Sequence, residues 1–280
     1  MKTISEPKVV SRPAVSLRRR FYRWRVLRDL LSLSLAAVVA ALPLPSANAA
    51  FHLWTVTEVY SSPDGSVQFI KLATGTTGEY QLNTHVITCT GPLGTHSYTF
   101  TADLPPSPGT AGHTFLIGTP SLASVPGGVT PDFVLTGPAP FLFLTPGITN
   151  TVGIQGSASP STQFAAYTNL PTDGLLSLQG SASNLVPATN SPKNFANQSN
   201  SIVPVKFLSG QAVGTNFVLS FRTATGVDQS AGPNYAVEFK NLLTDTTWSN
   251  YTTIPGDGTT KSVSNALSSA SQRFFRLNVP

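Results

Sequence analysis

Phe217, Leu219 and Phe221 alternate with Val218, Ser220 and Arg222. The same period of two returns where Tyr235, Val237 and Phe239 alternate with Ala236, Glu238 and Lys240, and where Phe275, Leu277 and Val279 alternate with Phe274, Arg276 and Asn278. Successive side chains of a strand point to opposite faces, so each segment has one face for a core and one for solvent. Nearer the start, WTVTEVYSSPDGSVQFIKL (Trp54–Leu72) reads as strand, turn, strand. Its turn is Pro63-Asp64-Gly65, where proline fixes φ and glycine takes a positive φ at no steric cost. No window of about 11 residues carries a helical stripe; the nearest, SNALSSASQRFF, is a serine-rich approach to a strand. The pattern predicts an all-β chain of antiparallel sheets packed face to face, in two β-sandwiches.

The alternation is interrupted twice. Leu30–Leu44, LLSLSLAAVVAALPL, is an apolar run that follows six arginines in Leu17–Leu31 and precedes Ala47-Asn48-Ala49. A basic region, an apolar run and an A-x-A-like site, in that order, are the marks of a secretory signal peptide. The run falls short of the roughly 20 apolar residues that cross a bilayer, and Pro43 and Pro45 end it. Residues 1–49 therefore read as a signal peptide cleaved between Ala49 and Ala50, with no transmembrane segment left in the mature chain. Arg18-Arg19-Arg20-Phe21-Tyr22-Arg23 resembles the twin-arginine export pattern, a pattern that any basic leader also produces, so the export route stays open. The second interruption is Asn184–Val205, rich in proline and asparagine, which reads as an irregular linker. The expected division is a signal peptide over 1–49, a β-sandwich over 50–203 and a smaller sandwich of immunoglobulin or fibronectin type over 204–280.

Charge changes the picture once. Nine of the 17 Lys and Arg residues lie in 1–49, against Glu6 and Asp29, so residues 50–280 hold eight basic and ten acidic residues. The basic balance belongs to the leader, and eight scattered cations form no patch to displace phosphate counterions, which argues against a nucleic-acid partner. The glycines all lie after residue 49 and most prolines do too, as expected for short strands joined by turns.

Val56, Glu58 and Val59, then Phe69, Ile70 and Leu72, with Thr130–Leu135 (TPDFVL) and Thr189–Phe195 (TNSPKNF), resemble the pattern of lamin-tail domains. Gln68 and Lys71 stand where that family usually has acidic residues. The resemblance implies an immunoglobulin-like, non-catalytic domain and brings no ligand with it. Tyr235, Val237, Glu238, Leu243, Thr244, Asp245, Trp248, Arg273, Phe274 and Arg276 are similar to a small β-sandwich module at the end of many secreted bacterial proteins. Trp248 reads as a core residue, with sugar stacking as the alternative.

Candidate chemistry is sparse. His85 and Cys89 fall on one strand face with His96 nearby, a set that either binds zinc or is a buried thiol beside solvent histidines. Cys89 is the single cysteine, so the chain builds no internal disulfide. Glu58, Glu79, Asp103 and Asp132 are the carboxylates from which a glycosidase pair would have to come. Asp64-Gly65 and Asp257-Gly258 lack the oxygen ligands of a calcium loop and read as turns. Neither a G-x-S-x-G elbow nor an H-E-x-x-H helix is present. No catalytic, cofactor or metal residue is assigned, and the binding residues are unknown. Phe141–Leu144 and the loop Asp103–Gly112 are candidate contact patches, the first of which reads more simply as a buried strand. The reading is a secreted or cell-surface structural and interaction protein that meets a glycan or another protein, the alternative being an extracellular polysaccharide hydrolase. N-terminal sequencing of the exported form is expected to begin at Ala50; an intact chain beginning at Met1 would contradict the leader.

Overall fold

A computed structural model describes residues 53–280 other than 138, 156–162, 182–183 and 270. The expected leader, with Ala47, Ala49 and Ala50 at its cleavage site, lies outside the described residues. Among these, no helix is long and apolar enough to cross a membrane.

The chain is all-β. Its first part forms β1 (Thr55–Ser61), β2 (Gln68–Ala73), β3 (Val86–Gly91), β4 (Gly94–Thr99), β5 (Thr114–Gly118), β6 (Phe133–Val134), β7 (Asn150–Ile154), β8 (Ala165–Tyr167), β9 (Leu176–Ser181) and β10 (Asn184–Thr189). These make a six-stranded sheet, β10-β9-β1-β2-β5-β6, and a four-stranded sheet, β4-β3-β7-β8. All pairings are antiparallel except the short β5-β6 pair. The rest forms β11 (Phe207–Val213), β12 (Asn216–Arg222), β13 (Asn234–Lys240), β14 (Ser249–Pro255), β15 (Thr260–Ala266) and β16 (Phe274–Asn278), in two three-stranded sheets, β11-β12-β15 and β14-β13-β16.

Val56, Val59, Ile70, Leu72, Phe115 and Ile117 of the larger sheet pack with Ile87, Cys89, Val152, Ile154 and Tyr167 of the smaller. Trp54, Phe100, Phe115 and Phe133 meet edge to face within this core. The larger sheet is also covered on its other face. Tyr60, Phe69 and Leu116 point that way and are closed over by Leu122, Val129 and Ile202. A register shift between Val56 and Glu58 turns Glu58 and Tyr60 to this second face while Val56 and Val59 stay on the first. In the turn that follows, Gly65 takes φ +74° and Asp64 accepts from Ser62 Oγ, Ser66 N and Ser66 Oγ. Those bonds favour the ionised carboxyl and bring its pKa down to about 2.

The cover on the second face corrects the linker reading. Asn184–Thr189 is β10, paired with β9 along its whole length. The segment after it, residues 190–203, is a strap laid across the sheet, with Asn190, Asn194, Phe195, Ile202 and Val203 buried. Its asparagines serve as fasteners. Asn190 donates to Leu175 O and Ile202 O and accepts from Ile202 N, while Asn194 donates to Thr130 O and accepts from Gln198 N. An amide side chain carries both donor and acceptor, so it can close loops that lack strand partners.

The second sandwich is built on Phe221, Tyr235, Val237 and Val263, with Phe275, Leu277 and Val279 packed against them. Tyr235 Oη accepts from Ala224 N at 2.9 Å. The stretch Val227–Asn234, which lengthens a loop of this module, reaches the strap through Asp228, which exchanges bonds with Ser199, and Thr225 just before it exchanges bonds with Asn200.

Phe195 is the strap's aromatic anchor, packed in the main core. Phe195→Ala is expected to cost about 3–5 kcal/mol, read as a lowered urea midpoint for the first sandwich. A loss near zero would mean the strap rests on the sheet without holding it.

Candidate functional site

The most connected polar cluster lies under the strap. Glu58 on β1 stands directly across from Lys71 on β2 and from Gln179 on β9, so three neighbouring strands deliver one row of polar side chains. Glu58 is fully buried. Its Oε1 accepts from Ser177 Oγ at 2.7 Å, Gln179 Nε2 at 3.1 Å and the Ser191 backbone N–H at 2.7 Å. Its Oε2 accepts from Ser191 Oγ at 3.0 Å and is ion-paired with Lys71. Lys71 Nζ in turn donates to Ser191 O at 2.8 Å and Ser191 Oγ at 3.0 Å. A buried carboxylate needs this many donors, since each unmatched lone pair adds to the desolvation cost.

Sequence reasoning placed Glu58 but missed Ser177, Gln179 and Ser191. A signal was present for two of them: in LLSLQG, Ser177 and Gln179 share a strand face between leucines. Ser191 carried none, because its role depends on where the strap crosses the sheet.

A second carboxylate holds the other end. Asp132 Oδ2 accepts from Leu116 N at 2.8 Å and Phe195 N at 2.9 Å. Burial pushes its pKa up, against the downward pull of those two bonds. Glu79 is buried with its Oε2 unpartnered, and burial raises its pKa too. Asp103 accepts from Asn83 N in an exposed loop. Asp257 closes a glycine turn through Thr259 and Lys261, and hydrogen bonding, first from Lys261, depresses its pKa. Each of these groups is held by partners of its own neighbourhood, Glu79 by the Leu53 backbone.

Of the expected zinc trio, Cys89 and His96 are engaged with other partners, and His85, just before β3, bonds through its backbone to Leu82 O and Phe100 N. Cys89 and His96 face each other across β3 and β4. Cys89 Sγ is 3.3 Å from Tyr167 Oη, however, and the His96 ring stacks on Phe143 at 4.3 Å with Nδ1 2.9 Å from Phe141 O. Burial raises the Cys89 pKa and keeps the thiol neutral. Among the described residues no three His, Cys, Asp or Glu side chains gather as a metal-ligand set.

Of the two candidate contact patches, Phe141, Leu142 and Phe143 are buried in the first core, outside any strand. Gln68 pins this run: its Nε2 donates to Leu142 O at 3.1 Å and its Oε1 accepts from Leu142 N at 2.9 Å. A carboxylate at that position would lack the donor. The loop Asp103–Gly112 is exposed from Pro105 to Pro108 and anchored by buried Leu104 and Thr110. Trp248 lies outside the second core and is only half-buried, which corrects the core reading. Lys240 and Arg276 lie over its ring at 5.1 and 4.6 Å, and Arg276 is paired with Glu238. Cations therefore already occupy the π surface a sugar would need.

An open groove of about 380 Å³ lies where β8 and β10 come together at one side of the first sandwich. Thr168, Asn169 and Asn184 supply hydroxyl and amide groups, Leu185 and Pro187 apolar surface, and no charged residue lines it. Its size falls within the range of small-ligand sites. No protein-family model matches the chain, and no curated protein matches it.

The cluster makes a prediction about stability. Glu58→Gln is expected to destabilise the first sandwich by about 3–5 kcal/mol, because Lys71 is left as a largely buried, unpaired cation. Glu58→Gln combined with Lys71→Met is expected to recover part of that loss. Additive effects in the urea double-mutant cycle would show that the two groups do not interact.

Proposed function

We propose that the chain works outside the cytoplasm, secreted or at the cell surface, as a non-catalytic interaction protein. In this reading a lamin-tail-like sandwich and a small immunoglobulin-like sandwich present loops, a groove and sheet edges to a glycan or a protein. The observation that carries it is the state of Glu58. The carboxylate best supplied with neighbours is sealed from solvent and spends both oxygens on the strap, where no substrate can reach it. The segments with the lamin-tail resemblance also meet there: Glu58 and Lys71 come from the opening hairpin and Ser191 from TNSPKNF, while Asp132 of TPDFVL holds Phe195 of the same strap.

The groove favours a neutral ligand. Amides and hydroxyls beside leucine and proline suit a sugar's alternating polar and apolar surface better than an ion. The test is an array of neutral and acidic polysaccharide fragments, probed with wild type and with Asn169→Ala/Asn184→Ala and assayed in parallel for released reducing sugar. Binding to neutral fragments that the double variant loses, without product, is the expected result. Sugar release proportional to protein concentration would replace this reading with the hydrolase.

A further inference from the structure

We propose that β11 is a homodimer edge, pairing antiparallel with β11 of a second copy about a two-fold axis at Gly210. β11 ends its sheet, with β12 on one side and no described strand on the other. It runs Phe-Leu-Ser-Gly-Gln-Ala-Val, and every residue after Phe207 is exposed. Leu208 is 49% and Val213 51% exposed. A free edge presents a row of N–H and C=O groups that only another extended backbone can satisfy in register.

The other edge strands are blocked in ways proteins commonly use. β10 carries Pro187, β14 ends at Pro255, β15 carries Lys261 and β16 Arg276, while β6 and β8 have only two and three residues. β4 is long enough to pair, but it presents mainly glycine, threonine and serine. Among the described strands, β11 combines a long free edge, no charge, no proline and exposed apolar side chains.

The choice of a second copy rests on the order of its residues. An isologous contact requires a surface complementary to itself. Read outward from Gly210, β11 has a polar residue on each side (Ser209, Gln211), then an apolar one (Leu208, Ala212), then another (Phe207, Val213). Antiparallel pairing centred on Gly210 therefore sets Ser209 against Gln211, Leu208 against Ala212 and Phe207 against Val213. No polar side chain faces an apolar one and no like charges meet. The register step with β12 falls at Leu208, so Gly210 lies in the regular part of the strand. Glycine is also what the centre accepts: a Cβ there would come within 2.9 Å of the Phe217 ring. The result is one continuous sheet, β15-β12-β11 followed by its symmetric mate, which doubles whatever the sandwiches bind and raises avidity.

Sedimentation equilibrium of the purified native chain between about 1 and 200 µM, the range of weak protein association, tests this. Wild type is expected to dimerise. Gln211→Lys, on the exposed edge, places two lysines on diagonal positions roughly 7–8 Å apart, and is expected to raise the dimer Kd at least tenfold with unchanged circular dichroism. Ser209→Lys serves as a second variant should the first fold poorly. Asn250→Lys on β14 is expected to leave the dimer intact. A wild type that stays monomeric overturns the proposal, as does a dimer insensitive to both β11 variants or one dissociated equally by Asn250→Lys.

Discussion

A carboxylate that cannot reach water must find its hydrogen-bond donors inside the protein, and in the first sandwich this requirement sets the course of the chain. Glu58 is turned to the second face of the sheet by the register shift in β1. The strands beside it supply Lys71, Ser177 and Gln179, but the set is completed only by the backbone and hydroxyl of Ser191, from a segment that must cross the sheet to deliver them. With Ser191 in place, Asp132 can take the N–H of Phe195 and Asn190 can hold Ile202. The strap thus shields the outer face of a sheet whose inner face is already buried, and it gives the second sandwich something to dock on.

This arrangement bears on function through accessibility. Buried ion pairs gain little net stability against an apolar alternative of the same shape, but losing one partner is costly. Such a cluster is suited to fixing one register and one strap position. A general acid or base needs contact with substrate and room for proton traffic, and the surroundings of Glu58 offer neither.

Much of the fold was legible in the sequence because alternation is local. Phe221, Tyr235, Val237, Phe275 and Leu277 face the core that their period demanded, and the Pro63-Asp64-Gly65 turn joins the strands it was expected to join. What failed was what depends on distant partners. Asparagine and proline in Asn184–Val205 signal irregular backbone, yet Asn184–Thr189 is strand β10, and no local rule says that the irregular remainder lies buried under satisfied amides. Trp248 read as core because aromatics usually bury; here two cations, one of them paired with Glu238, lie over its ring instead. The run Phe141–Phe143 is buried as expected, yet its backbone finds partners in the side chains of His96, Gln68 and Tyr167 in place of a neighbouring strand. The groove between β8 and β10 had no sequence signal, since it arises where the edges of two sheets meet.

Native-state hydrogen exchange at the strap tests the central claim most directly. If Glu58 and Asp132 bind the strap into the sandwich, the amides of Ser191 and Phe195 exchange only with the global opening that also releases the core amides of β1 and β2. Exchange of those two amides at the rate of an exposed loop, while β1 and β2 remain protected, would show that the segment is a linker and that the buried carboxylate does not organise the fold.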